Sequence, residues 1–197
     1  MADCEQIEGV YIARRAELIK KVLCEIRAKD KVYSAAHGCN PEPDEVYPGI
    51  FIGDEASARD RQLLRQLGIT HIVNAATGRG YGMVNTNASY YADLGIKFLG
   101  IELSDLSVSD ASIYFFSTAE FIDEALKQGG KVLVHCLMGI SRSSTLVLAF
   151  LMIKRNMSAI DAVTKVRSQR NVHPNEGFIT QLASLDLSLE KNRYQYQ

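Results

Sequence analysis

Apolar positions along the chain follow two different periods. Over residues 11–29 they fall at Ile12, Ala16, Ile19, Val22, Leu23 and Ile26 with polar residues between. That three-to-four spacing predicts an amphipathic helix. The period is lost over 35–44, where Gly38, Asn40, Pro41 and Pro43 mark a linker. A strand pair is expected over 45–52, a helix over 57–67, a buried strand over 71–75 and another strand over 96–103. Asp110 or Ser112 should cap a helix that runs to about residue 128, where Gly129-Gly130 ends it. Residues 131–135 form the next strand, and 142–155 a helix apolar enough to be largely buried. Ser158-x-x-Asp161 resembles a capping box, with Asp in place of Glu or Gln, for a helix to about 167. The last helix is expected over 175–191. Strands alternating with helices predict an α/β fold: a central, mostly parallel sheet flanked by helices on both faces. The chain divides into residues 1–43 (a helix and linker packed on or flanking the rest), one domain over 44–191, and a tail over 192–197.

Composition narrows the class. A chain of 197 residues, 47% hydrophobic, suits one domain with a sizeable core. A net charge of −1 carries no electrostatic footprint for nucleic acid or a membrane surface. No apolar run is long enough to span a bilayer and no signal-peptide pattern opens the chain, so a cytoplasmic or nuclear location is expected. The Asn87-Ala88-Ser89 sequon then carries no weight. Cys4, Cys24, Cys39 and Cys136 lack disulfide or metal spacing, and His37, His71 and His173 form no ligand pattern, so no metal is predicted. The first three cysteines read as bystanders in a reducing compartment. Gly78-Arg79-Gly80-Tyr81-Gly82 lacks G-x-G-x-x-G spacing and reads as a mobile loop at the rim of a cleft.

The chemistry is concentrated at 132–145, Val-Leu-Val-His135-Cys136-Leu137-Met138-Gly139-Ile140-Ser141-Arg142-Ser143-Ser-Thr. An apolar strand delivers a cysteine into a short loop, and a long helix begins six residues later at an arginine. A helix start leaves backbone N–H groups without intrahelical partners, and the helix dipole adds positive charge. A loop of this length can wrap a tetrahedral oxyanion, with Gly139 free to take an unusual backbone angle. Arg142 can hold two phosphate oxygens with its planar fork. The same field favours the thiolate of Cys136. Ser143 is placed to donate to the sulfur and ease its departure.

His135-Cys136-x-x-Gly139-x-Ser141-Arg142-Ser143 resembles the signature of cysteine-dependent protein phosphatases in their dual-specificity form. Residues 45–53, 68–76 and 178–187 also resemble that family. Residues 85–91 and 95–101 look most like its small atypical, VHR-like members. The resemblance implies the phosphotyrosine-phosphatase-like fold and assigns roles. Asp105, in the loop Ser104-Asp105-Leu106-Ser107-Val108-Ser109-Asp110, matches the general acid, whereas Asp110 is better explained as a helix cap. His135 would orient the loop by hydrogen bonding, and Asn74 would brace it. Arg170 matches a position that contacts a second phosphate in VHR-like enzymes.

The substrate-binding residues are then Leu137, Met138, Gly139, Ile140, Ser141, Arg142 and Arg170. Leu137, Met138 and Ile140 occupy the variable positions and are all apolar. Enzymes for inositol phosphates or RNA 5′-triphosphates would profit from lysine or arginine there, so a phosphorylated protein side chain is favoured. VHR-like enzymes usually carry charged or aromatic residues at some of these positions, so the preference for doubly phosphorylated motifs stays open. The expected activity is hydrolysis of phosphotyrosine and phosphoserine or phosphothreonine through a phosphocysteine intermediate, without a cofactor. Expected partners are phosphorylated proteins, signalling kinases among them, with neither nucleic acid nor membrane, and the chain a monomer or weak homodimer. Two alternatives stand beside this: a module that captures phosphoproteins without turnover, and an enzyme of the same fold acting on a lipid, nucleotide or glucan phosphate.

Overall fold

A computed structural model describes residues 2–26 and 42–195. Within them, β1 (Asp44–Tyr47), β2 (Ile50–Gly53), β3 (His71–Asn74), β4 (Lys97–Gly100) and β5 (Val132–His135) form one sheet in the order β1-β2-β5-β3-β4. Only the β1–β2 edge pair is antiparallel; β5 runs parallel to β2 on one side and β3 on the other. Every residue of β2, β3 and β5 is buried. Their near-continuous apolar sequences are what a parallel sheet covered on both faces requires.

The two-residue period of β5 divides its side chains between two cores. Val132 and Val134 join the larger one, built on α1 (Ala2–Glu25), α5 (Phe115–Lys127), α6 (Arg142–Lys154), α7 (Ala159–Arg167) and α8 (Glu176–Gln195). Leu133 joins Phe51, Ile72 and Tyr91 on the other face, beneath α2 (Glu55–Arg59), α3 (Arg61–Leu67) and α4 (Ala88–Tyr91). Ala16, Ile19 and Leu23 of α1 are buried in the larger core, and Arg15 pairs with Asp186 and Glu190 of α8. The N-terminal helix is thus packed on the domain.

Several boundaries differ from expectation. The helix expected over 57–67 is two helices, because Asp60 breaks it (φ −79°, ψ 90°). Asp54 accepts from the Ser57 N–H at 2.8 Å and Asp60 from the Leu63 N–H at 2.9 Å, so two successive aspartates each start a helix. Helix α1 begins nine residues before the expected start and ends at Glu25. Helix α8 continues to Gln195, into the segment expected as a tail. Asp110 accepts from the Ser112 N–H at 2.9 Å, and a 3₁₀ turn, Ser112–Tyr114, precedes α5. The expected linker, with His37 and Cys39, lies outside the described residues up to position 41. Among the described residues no helix is long and apolar enough to cross a membrane.

Candidate active site

The central strand β5 ends at His135, level with Gly53 of β2 and Asn74 of β3. Cys136 therefore emerges at the carboxyl edge of the sheet, where open α/β folds place ligands. Residues 136–141 curl back into α6. Gly139 has φ +68°, and a Cβ there would lie 2.5 Å from the Gly53 carbonyl oxygen, so only glycine lets the loop rest on the end of β2.

The loop carbonyls are held from outside. The Glu55 N–H donates to the Leu137 carbonyl at 3.1 Å and the His173 N–H to the Ile140 carbonyl at 2.9 Å. Arg170 Nε donates to the Gly139 carbonyl at 2.9 Å. With the carbonyls engaged outward, the amides are left for the interior of the bowl. One of them, the Gly139 N–H, lies 3.3 Å from Cys136 Sγ. Ser141, at the cap position of α6, makes no side-chain cap bond, so the first-turn amides of that helix carry no competing acceptor from it.

Cys136 is 2% exposed, and its sulfur is 3.4 Å from Ser143 Oγ. Arg142, also buried, donates from Nη1 to the carbonyls of Gly82 (2.9 Å) and Leu103 (3.2 Å). Its Nε has no hydrogen-bond acceptor among the described residues and lies 3.7 Å from Asp105 Oδ2. The fork is thus anchored on one side, with a donor free at the other. His135 is fully buried with Nδ1 3.4 Å from the Cys136 carbonyl oxygen, and burial pushes its pKa down to about 4. The ring is neutral at physiological pH and shapes the peptide behind the thiol.

Asp105 reaches the bowl from the loop after β4. Its Oδ1 accepts from Ser141 Oγ at 2.7 Å and from Asn175 Nδ2 at 2.8 Å. Tyr81, Gly82, Met83, Ser104, Asp105, Leu106 and Arg142 line a cleft of about 260 Å³, which puts the 78–82 loop at its rim. Met138 is exposed, while Leu137 and Ile140 are half-buried. Sequence reasoning missed Asn175: its place before α8 signals only a cap, and its contact with Asp105 spans 70 positions.

Two residues do something other than expected. Arg170 is 3% exposed; Nη1 donates to Asp44 Oδ2 at 2.8 Å while Nε holds the loop. It braces the loop from beneath rather than facing a second phosphate. Asn74 donates from Nδ2 to the Val84 carbonyl (2.9 Å) and Thr86 Oγ1 (3.0 Å), and its Oδ1 accepts from the Ala76 N–H (2.9 Å). Its side chain folds the 76–86 segment, which meets Arg142 through the Gly82 carbonyl.

A buried thiol with a loop amide and a serine hydroxyl at its sulfur, in a loop that ends at a buried arginine after a central parallel strand, defines a phosphatase of the cysteine-dependent class. Residues 50–186 match the family described as "Dual specificity phosphatase, catalytic domain", and the chain belongs to that family. Human dual specificity protein phosphatase 13B is 49% identical over 154 residues, covering 77% of each chain. Human dual specificity protein phosphatase 26 is 45% identical over 161 residues, covering 81% of this chain and 74% of its own. Among solved structures, human DUSP28 superposes with a TM-score of 0.66 at 28% identity, over 77% of this chain and 96% of its own. The human tyrosine phosphatase-like serine/threonine/tyrosine-interacting protein gives 0.64 at 31% identity, over 80% and 99%. The chain is a dual-specificity protein phosphatase.

Proposed function

We propose that the chain hydrolyses phosphotyrosine and phosphoserine or phosphothreonine in two steps, with Cys136 as nucleophile, Arg142 and the loop amides as the phosphoryl cradle, and Asp105 as general acid. Cys136 Sγ forms a bond to phosphorus while the P–O bond to the side chain breaks. The departing oxygen takes the electron pair and a proton from Asp105. Arg142 Nε and the loop amides stabilise charge on the equatorial oxygens. Water, losing its proton to Asp105, then attacks phosphorus, and the sulfur leaves with a hydrogen bond from Ser143. The observation that carries this reading is the 3.3 Å approach of the Gly139 N–H to Cys136 Sγ, at a loop that ends at Arg142, whose Nε has no hydrogen-bond acceptor among the described residues.

The apolar Leu137, Met138 and Ile140 favour a phosphorylated protein segment over a polyphosphorylated small molecule. Arg170, engaged by Asp44 and Gly139, adds no free cation for a second phosphate. Phosphorylated signalling proteins, kinases among them, are the proposed substrates, in the cytoplasm or nucleus, with the chain acting as a monomer or weak homodimer.

Matched phosphotyrosine and phosphothreonine peptides, given to wild type, Cys136→Ser and Asp105→Asn, test the mechanism. Phosphate should be released from both by wild type, by neither in Cys136→Ser, and more slowly in Asp105→Asn. A folded wild type that binds both peptides without turnover would replace this reading with capture alone.

A further inference from the structure

The acid loop, residues 104–111, has no regular structure of its own around Asp105, and Leu106 and Val108 stand exposed on it. Rotation about the last side-chain bond of an aspartate interchanges its two oxygens at little cost. A general acid in such a loop needs something to fix both its place and which oxygen carries the proton. The first turns of α8 supply it. Gln181 Nε2 donates to the Ser109 carbonyl at 2.8 Å, and its Oε1 accepts from the Ala111 N–H at 2.8 Å. Gly177, one turn earlier, lies so close to the Ser107 carbonyl that any Cβ would collide with that backbone. Asn175, at the helix start, reaches the carboxylate itself.

The hydrogen-bond directions around Asn175 are settled by the backbone. Its Oδ1 accepts from the Phe178 N–H at 3.0 Å, and an N–H can only donate, so Nδ2 is the group facing Asp105. The Asn175 N–H also donates to Ser141 Oγ at 3.1 Å, leaving that hydroxyl to donate its own proton to Asp105 Oδ1. Oδ1 therefore meets two donors and serves as acceptor.

We propose that Asn175 is a positioning residue for the acid step: with Ser141 it holds Asp105 Oδ1, so that the transferable proton is carried on Oδ2, the oxygen turned toward Arg142 and the bowl. This rests on the reading of Asp105 as general acid. In the first step the Oδ2–H bond breaks as the leaving oxygen gains that proton and the P–O electron pair. In the second, Oδ2 recovers a proton from water. A misplaced carboxylate harms substrates in proportion to their need for protonation. Alkyl esters such as phosphothreonine need it most, and aryl phosphates with electron-withdrawing substituents need it least.

The test compares kcat/KM for a phosphothreonine peptide and for an electron-poor aryl phosphate, in wild type, Asp105→Asn, Asn175→Ser and Asn175→Asp. Serine and aspartate both keep a cap acceptor for the Phe178 N–H, so α8 is preserved while the side-chain amide that reaches Asp105 is lost. Asn175→Ser should lose roughly tenfold to a hundredfold on the peptide, and much less on the aryl ester. Asn175→Asp, which sets carboxylate against carboxylate, should lose at least as much on the peptide. Equal losses on both substrates, or none, in folded Asn175 variants overturn the proposal while leaving the acid intact if Asp105→Asn remains selective. If Asp105→Asn itself shows no dependence on the leaving group, the acid assignment falls and this proposal with it.

Discussion

Arg170 and Asp44 form a buried ion pair, Nη1 to Oδ2 at 2.8 Å with side chains 3% and 4% exposed, and the same guanidinium holds the Gly139 carbonyl through Nε. The pair ties the first residue of β1 to the phosphate loop. Removing Asp44 leaves the buried Arg170 charge without its carboxylate, which costs about 3–5 kcal/mol. Asp44→Ala should therefore lower the urea midpoint strongly at unchanged m-value. Arg170→Met combined with Asp44→Ala should recover part of that stability while activity stays low, because the Gly139 carbonyl has lost its donor. Recovery of activity along with stability in the double variant would refute a role for Arg170 at the loop.

Ser143 Oγ lies 3.4 Å from the cysteine sulfur and is fully buried. A hydrogen bond to a charged group contributes about 1.5–3 kcal/mol, so losing one that forms as the thiolate departs slows that step roughly tenfold to a hundredfold. Ser143→Ala should lower kcat with little change in kcat/KM and accumulate phosphocysteine, seen as a burst of released alcohol before the steady state. Equal loss in kcat and kcat/KM, without a burst, would place Ser143 in the first step.

Legibility in the sequence tracked contiguity. The strand, Cys136, Gly139, Arg142 and the α6 start are consecutive, so the period change and the residue types place them with no long-range information. The sheet followed from strands alternating with helices along the chain, and the buried runs of β2, β3 and β5 agree with it. What escaped was assembled across the chain. Asn175 carries the signal of a cap and nothing of Asp105, 70 positions away. Nothing local marks Arg170 as buried, since an arginine is usually exposed and its partner Asp44 lies 126 positions upstream. The break at Asp60 was local but hidden, since the helical period continues across it while two aspartates compete to cap.

Histidine 135 sets a pH dependence of stability. Burial holds its folded pKa at about 4, below the unfolded value near 6.5, so the unfolded chain binds more protons between those limits. Stability is complete above pH of about 6.5 and falls as the pH drops toward 4, by up to about 3 kcal/mol from this residue. His71, lowered by burial and then by Lys97, adds a contribution of the same sign. Urea titrations of wild type and His135→Gln at several pH values should show a shallower slope in the variant across that window. Parallel curves would remove His135 as the cause.

Asn74 offers the last test, because its side chain is tied to the segment that carries an anchor of Arg142. Its Nδ2 holds Val84 and Thr86, its Oδ1 holds Ala76, and the segment so folded presents the Gly82 carbonyl to Arg142 Nη1 at 2.9 Å. Asn74→Ala leaves these buried groups short of partners, at a cost of about 1–3 kcal/mol for an unsatisfied group. It also loosens one of the two carbonyl anchors of the arginine, the other being Leu103 at 3.2 Å. The phosphoryl cradle should weaken more than the acid step, since Asp105 is held from Ser141 and Asn175 and not from this segment. Inorganic phosphate should therefore inhibit Asn74→Ala less strongly than wild type, with the ratio of rates on alkyl and aryl phosphates preserved. A change in that ratio with unaltered phosphate inhibition would mean that Asn74 acts on the acid loop instead.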